Sequence, residues 1–179
     1  MRYRDRVHAG RELACELAGR SAGDAVVLAV SDNGSIVAGA VARSLGAPLE
    51  VLRPDEVGSP GSVLARIVDR TVVLVDDGMT TGSTMVAACD LVREAGARRV
   101  VVGVPVAAVD AVGRARTVAD EVVVLQVECD VARIADWYEV PTPLDGHHLD
   151  GQHLDGHQGA NGADPGARGQ GPGVLLQAG

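Results

Sequence analysis

The chain has 179 residues, a formal net charge of −8 and no phenylalanine. That length suits one α/β domain with a full core, which must be built from Val, Leu, Ile and Ala, the make-up of a parallel sheet buried on both faces. An acidic balance without a basic cluster argues against a nucleic-acid or anionic-membrane partner, and no apolar run reaches the roughly 20 residues of a membrane span.

Residues 3–20 place Val7, Leu13, Ala14 and Leu17 near one helical face, with Gly19 as the stop. A packing helix is the simplest reading, with His8 solvated on it. Residues 25–30, A-V-V-L-A-V, predict a first buried strand, and Ser31-Asp32-Asn33-Gly34-Ser35 predict a loop rich in capping residues before a helix from about Ile36 to Leu45. Gly46 and Pro48 end that helix. A second strand, Leu49 to Leu52, ends at Arg53, which reads equally as a surface ion-pair residue or an anion contact; residues 54–62 are loop.

The stretch from Thr71 to Ala88 carries the chemistry. Val72, Val73, Leu74 and Val75 predict a strand buried on both faces that delivers Asp76 and Asp77 at its end. Gly78, Met79, Thr80, Thr81, Gly82, Ser83 and Thr84 then form a small, hydroxylated loop that opens a helix running to Glu94 and stopped by Gly96. Free N–H groups at a helix start, the helix dipole and several hydroxyls converge there, as a phosphate requires. Paired carboxylates beside it suit sugar hydroxyls or a divalent cation. The alternative is a capping turn after a core strand. Three residues separate Gly78 from Gly82 and no Lys follows, which excludes a Walker A loop, and no G-x-G-x-x-G is present. Mutual repulsion of the two acids predicts that changing both to Asn leaves the free protein as stable or more so.

Arg99 to Val104 predict a strand ended by Pro105, Ala107 to Thr117 a helix, and Glu121 to Val127 a last strand. Strands alternating with helices give a three-layer α/β/α domain with a parallel five-stranded sheet of order 2-1-3-4-5. Ligand then belongs at the carboxyl ends of strands one and three, where Ser31–Ser35 and Asp76–Thr84 meet. The domain spans 1–140. From 141 to 179 the chain reads as a disordered His/Asp/Gly-rich tail, with L-D-G-H-H, L-D-G-Q-H and L-D-G-H-Q in tandem, and its removal is expected to leave stability and ligand affinity within about 0.5 kcal/mol. Its His147, His148, His153 and His157, beside Asp145, Asp150 and Asp155, read either as a solvated repeat or as weak Zn²⁺ or Ni²⁺ ligands. Cys15, Cys89 and Cys129 are scattered without metal-ligand spacing, and the N-terminus lacks a signal-peptide core, so a cytoplasmic protein with buried, reduced thiols is expected.

The apolar strand, two acids and Thr-Gly-Ser-Thr loop resemble the phosphoribosyl pyrophosphate (PRPP) motif of type I phosphoribosyltransferases. The likeness covers roughly residues 3–140: Tyr3 to Ala14 is similar to the opening helix of one bacterial branch, and Trp137-Tyr138 to a C-terminal W-Y element. It implies that Asp76 and Asp77 are catalytic and hold the ribose 2′- and 3′-hydroxyls, and that residues 78–84 wrap the 5′-phosphate. Mg²⁺ would arrive with PRPP near that pair rather than on a dedicated protein site. Asp32, Asn33, Gly34, Ser35 and Arg53 would flank the pyrophosphate. The resemblance further implies a small-molecule phosphoribosyl substrate and a homodimer. Trp137 either covers ligand or packs on the domain edge.

Two departures stand out. Asp32 occupies a loop where the family leads one to expect a basic residue, and only eight residues separate Gly61 from Arg70 where a mobile lid is usual. Two functions follow: a Mg²⁺-dependent transferase releasing pyrophosphate, or a non-catalytic nucleotide- or PRPP-binding module that has lost the pyrophosphate loop and the lid. A receiver-type domain is weaker, since receivers carry paired acids after the first strand and not the third. Thr80 stands where the 6-oxopurine branch has an acid, so hypoxanthine and guanine are not expected as acceptors.

Overall fold

The computed structural model describes residues 2–20, 23–52 and 63–142. Arg53, the turn from Gly58 to Gly61 and the repeats at 144–158 lie outside these residues. Five strands, β1 (Val26–Ala29), β2 (Leu49–Val51), β3 (Thr71–Val75), β4 (Arg99–Ala108) and β5 (Glu121–Glu128), alternate with four helices, α1 (Arg6–Leu17), α2 (Asp32–Leu45), α3 (Ser83–Glu94) and α4 (Val109–Ala115). All strand pairs are parallel and the order is β2-β1-β3-β4-β5, as the alternation of elements predicts.

Strand alternation divides the core into two layers. Val26, Leu28, Val72, Leu74, Val100 and Val102 face α3 and α4, while Val27, Ala29, Val73, Val75 and Val101 face α1 and α2. β3 lies between β1 and β4 and is buried along its whole length, so its end is the best-fixed point of the sheet. β1 and β3 are neighbours although α2 and β2 lie between them in sequence. The crevice at their carboxyl ends is therefore a topological switch point.

Four local expectations are corrected. The Ser31–Ser35 stretch is not a loop: Ser31 caps α2 by accepting the Gly34 N–H at 2.9 Å, so the helix starts at Asp32. β4 does not end before Pro105 but continues to Ala108. Pro105 is tolerated because β3 pairs with β4 only as far as Gly103, so the missing N–H is not needed on that side, and the Pro105 carbonyl accepts the Tyr3 hydroxyl at 3.0 Å. On α1 the buried residues are Arg6, Ala9, Gly10, Leu13, Ala14 and Leu17, so the inward stripe is rotated from the expected one and takes in Arg6 where Val7 is only partly buried. Of the three thiols expected to be buried, the structure buries only Cys89. Among residues 63–70, Val63–Arg66 forms a 3-10 turn, with Val63 and Ile67 in the core.

Candidate active site at the β1 and β3 ends

Close helix packing brings α1 to the site. A Cβ at Gly10 would stand 2.7 Å from both the Ala40 Cβ and the Val37 carbonyl oxygen of α2, so only glycine permits this approach. Leu13 and Leu17 continue along the same face onto the sheet beside Gly103. Asp5 caps α1 by accepting the His8 N–H at 2.7 Å. Arg6, in the first turn, is thereby delivered to the end of β3.

There it meets Asp77. The Arg6 Nε donates to Asp77 Oδ2 at 2.9 Å and a second guanidinium nitrogen lies 2.8 Å from the same oxygen, with the Arg6 side chain 1% exposed. The guanidinium carbon sits 4.3 Å above the Tyr138 ring, and the Tyr138 hydroxyl donates to the Asp77 carbonyl at 2.6 Å. Burial and the nearby Asp77 carboxylate push the Tyr138 hydroxyl far above its usual range, so it stays a donor. Tyr138 is held in turn by a short parallel bridge to Tyr3: Tyr3 N–H donates to the Trp137 carbonyl at 2.8 Å and Glu139 N–H to the Tyr3 carbonyl at 2.9 Å. The first and last described segments thus close together under the acidic pair. Thr142, beyond the boundary expected at 140, also takes part, donating to Asn33 Oδ1 at 2.9 Å.

Asp76 is placed differently. Its Oδ1 accepts the Ser31 hydroxyl and the Asp77 N–H, the latter at 2.9 Å. Burial first, and the Asp77 charge second, raise its carboxyl to about 7, against the opposing pull of Ser31. Gly34 completes this wall: a Cβ there would come within 2.4 Å of Asp76 Oδ1 and 2.9 Å of its Cα. Mutual repulsion of the two acids is therefore opposed at Asp77 by its ion pair with Arg6. Removing the Asp77 charge would take from the buried Arg6 guanidinium the carboxylate it is paired with, so the expectation that the double Asn variant keeps its stability does not stand.

The loop from Gly78 to Thr84 leaves the sheet through Met79, which bonds to the extended end of β4: Met79 N–H donates to the Val106 carbonyl and Ala108 N–H to the Met79 carbonyl, each at 2.9 Å. Gly78 passes where a Cβ would meet Ile134 Cδ1 at 2.5 Å. Thr80, Thr81, Ser83 and Thr84 are exposed. Gly82 is the N-cap residue of α3 at φ 76°, a left-handed conformation that favours glycine and brings no capping side chain. Thr81 Oγ1 lies 3.0 Å from Ser83 Oγ and accepts the Ser83 N–H only at 3.4 Å. The start of α3 is thus a hydroxyl-rimmed helix N-terminus with no side-chain cap, beside two carboxylates.

Of the residues expected to form the site, Asp76, Asp77 and the 78–84 loop share one end of the sheet with Ser31 and Gly34. Asp32 is exposed on the first turn of α2, where a carboxylate is favoured by the helix dipole. Asn33 and Ser35 lie on that same turn, and the Ser35 hydroxyl is occupied by the Asp32 carbonyl at 2.6 Å. Trp137 is partly buried and packs against the core edge. Sequence reasoning missed Arg6 and Tyr138. The signal for Arg6 was a charge in line with Gly10, Leu13 and Leu17 at helical spacing.

Residues 4–145 match the model of the phosphoribosyl transferase domain family. The chain is 32% identical to a Mycobacterium tuberculosis protein named "Putative phosphoribosyl transferase Rv0571c", over 69% of this chain and 40% of that one. It is 30% identical to a Streptomyces coelicolor protein named "Putative ribose-phosphate pyrophosphokinase", over 80% of this chain and 44% of that one. The chain thus spans less than half the length of these curated relatives. Among solved structures, TT1426 from Thermus thermophilus superposes with a TM-score of 0.66 at 34% identity, covering 77% of this chain and 90% of that one. An APRTase from Giardia lamblia, at 19% identity and a TM-score of 0.54 over 69% of this chain and 79% of its own, shares the fold. With its switch-point crevice, paired acids and family match over residues 4–145, the chain belongs to the phosphoribosyl transferase domain family.

Proposed function

We propose that this chain binds PRPP and transfers its ribose 5-phosphate to an acceptor, with release of pyrophosphate. The observation that carries the reading is the uncapped start of α3, rimmed by Thr81, Ser83 and Thr84, next to the Asp76–Asp77 pair. The helix N-terminus takes the 5′-phosphate and the carboxylates accept the ribose 2′- and 3′-hydroxyls. In the transfer, an acceptor atom with a lone pair bonds to the ribose C1 while the bond from C1 to the pyrophosphate oxygen breaks, and pyrophosphate leaves with the electron pair. Positive charge then develops on the ribose, where two carboxylates in a largely buried setting stabilise it.

Mg²⁺ fits this reading as a companion of the substrate. It favours one or two carboxylates plus substrate phosphates, and Asp76 is the acid whose carboxylate is not paired with Arg6. Bound there, the ion would neutralise pyrophosphate charge. Thr80 offers a hydroxyl and no base, so hypoxanthine and guanine are not acceptors in this reading. The same reading puts the chain in the cytoplasm as a homodimer; among the described residues, no helix is long and apolar enough to cross a membrane.

A second reading is favoured by α2. Its first-turn Gly34 N–H is already satisfied by Ser31, and the exposed Asp32 adds negative charge where a pyrophosphate would lie. A binding module without transfer would accept ribose 5-phosphate about as well as PRPP. Incubation with PRPP, Mg²⁺ and a panel of bases, read as pyrophosphate release, tests the first reading. Calorimetry with both ligands separates the two, since a large preference for PRPP is incompatible with a pure binder of ribose phosphate.

A further inference from the structure

Arg6 and Tyr138 lie far apart in the sequence yet converge on one residue of the proposed ribose site. Arg6 places two guanidinium nitrogens on a single carboxylate oxygen, Asp77 Oδ2, at 2.9 and 2.8 Å, with its side chain 1% exposed. Tyr138 fixes the same residue from the backbone side through its hydroxyl and supports the guanidinium from below with its ring. Tyr3 closes the arrangement by binding the Pro105 carbonyl on β4, with its ring centroid 5.9 Å from that of Tyr138. A carboxylate on a strand end can rotate about χ1 and χ2; one held by a guanidinium at its oxygen and a phenol at its carbonyl cannot do so freely.

We infer that Arg6 and Tyr138 are positioning residues, orienting the Asp77 carboxylate toward one ribose hydroxyl. The inference rests on the phosphoribosyl reading of the site. Neither residue touches the ligand; both act through Asp77. Asp76 accepts the Ser31 hydroxyl, packs against Gly34 and touches neither Arg6 nor the Tyr138 hydroxyl in the contacts described above, meeting the brace only through Asp77; it serves the other hydroxyl.

The experiment measures affinity for ribose 5-phosphate and for its 2-deoxy and 3-deoxy analogues by calorimetry, in the wild-type protein, Arg6→Gln and Tyr138→Phe. A charged acceptor oriented on a hydroxyl makes the wild type bind ribose 5-phosphate about tenfold or more tightly than each deoxy analogue. Arg6→Gln should shrink that preference by about tenfold for one analogue only, leaving affinity for that analogue itself within about threefold. Tyr138→Phe retains the ring beneath Arg6 and removes one hydroxyl, so it keeps the fold measurable; it should shrink the same preference by about threefold. A merely structural role would weaken binding of all three compounds alike and leave the preferences unchanged, which would overturn the inference. Preferences against both analogues that fall together would overturn it too. If the wild type binds none of the three, the phosphoribosyl reading itself fails and takes the inference with it, whereas unchanged preferences in proteins that do bind defeat the inference alone.

Discussion

Two strand-to-helix junctions meet at the same end of this sheet and are built in opposite ways. After β1, Ser31 caps α2 at once, Gly34 donates to it, and the helix begins without a loop. After β3, the chain spends residues 76–82 in an open loop and enters α3 through a glycine that has no side chain to cap with. A good N-cap contributes about 1 kcal/mol, so leaving α3 without one forgoes stability. The difference teaches where an anion can go: at the first junction the protein satisfies its own helix start, and at the second it leaves polar N–H groups for something else. The same contrast divides the acids. Asp76 belongs to the first junction through Ser31, and Asp77 to neither, being held from beneath by Arg6 and Tyr138.

The contrast can be broken most forcefully at the acids. Asp77→Asn removes the carboxylate charge that the buried Arg6 guanidinium is paired with and should destabilise the protein by about 3–5 kcal/mol in urea unfolding. Asp76→Asn at pH 8 should cost less than about 1 kcal/mol or stabilise, because folding disfavours the Asp76 charge. Equal losses in the two variants would erase the distinction drawn between them.

The pH dependence of stability follows from the same carboxyl. The folded protein holds the Asp76 proton up to about pH 7, whereas the unfolded chain releases it near 3.8, so between those values the folded state binds more protons. This contribution is fully present below about pH 4 and is lost as pH rises through about 7. Urea midpoints at pH 5 and pH 8 should show the fall in the wild type and a smaller one in Asp76→Asn. An unchanged slope would mean that Asp76 is not the group responsible.

How much of this was legible beforehand depended on range. The sheet order followed from buried β-branched runs alternating with helical segments, and the acids and phosphate loop were visible because they are contiguous from Asp76 to Thr84. The end of β4 is not legible because a proline reads as the stop of a central strand, whereas β3 has already ended beside Gly103. The start of α2 is not legible because Ser31 reads as a loop residue, and only its hydroxyl accepting the Gly34 N–H makes it the cap. Arg6 and Tyr138 were invisible as site residues because their partner lies 71 and 61 positions away in sequence. No local pattern encodes a contact of that separation; only the misplaced charge in the α1 stripe hinted at it.

Gly34→Ala sharpens the comparison next. The added methyl would meet both Asp76 Oδ1 and Asp76 Cα, backbone that cannot give way, so a loss of about 1–3 kcal/mol is expected in thermal or urea unfolding. A neutral result would show that the two junctions are not packed as tightly as described. Ser31→Ala should have the smaller effect, about 1 kcal/mol from the lost cap, and should raise the Asp76 carboxyl further, since the Ser31 hydroxyl favours its charged form. Carboxyl titration by NMR checks the direction; a fall would contradict it.

The most direct test of the central claim is an amide NMR titration with ribose 5-phosphate. If the open junction is the phosphate site, the N–H signals of residues 81–85 shift saturably, and those of residues 32–35 shift much less because their helix start is already capped. Shifts confined to the first turn of α2, or no saturable shift at the start of α3, would contradict the account.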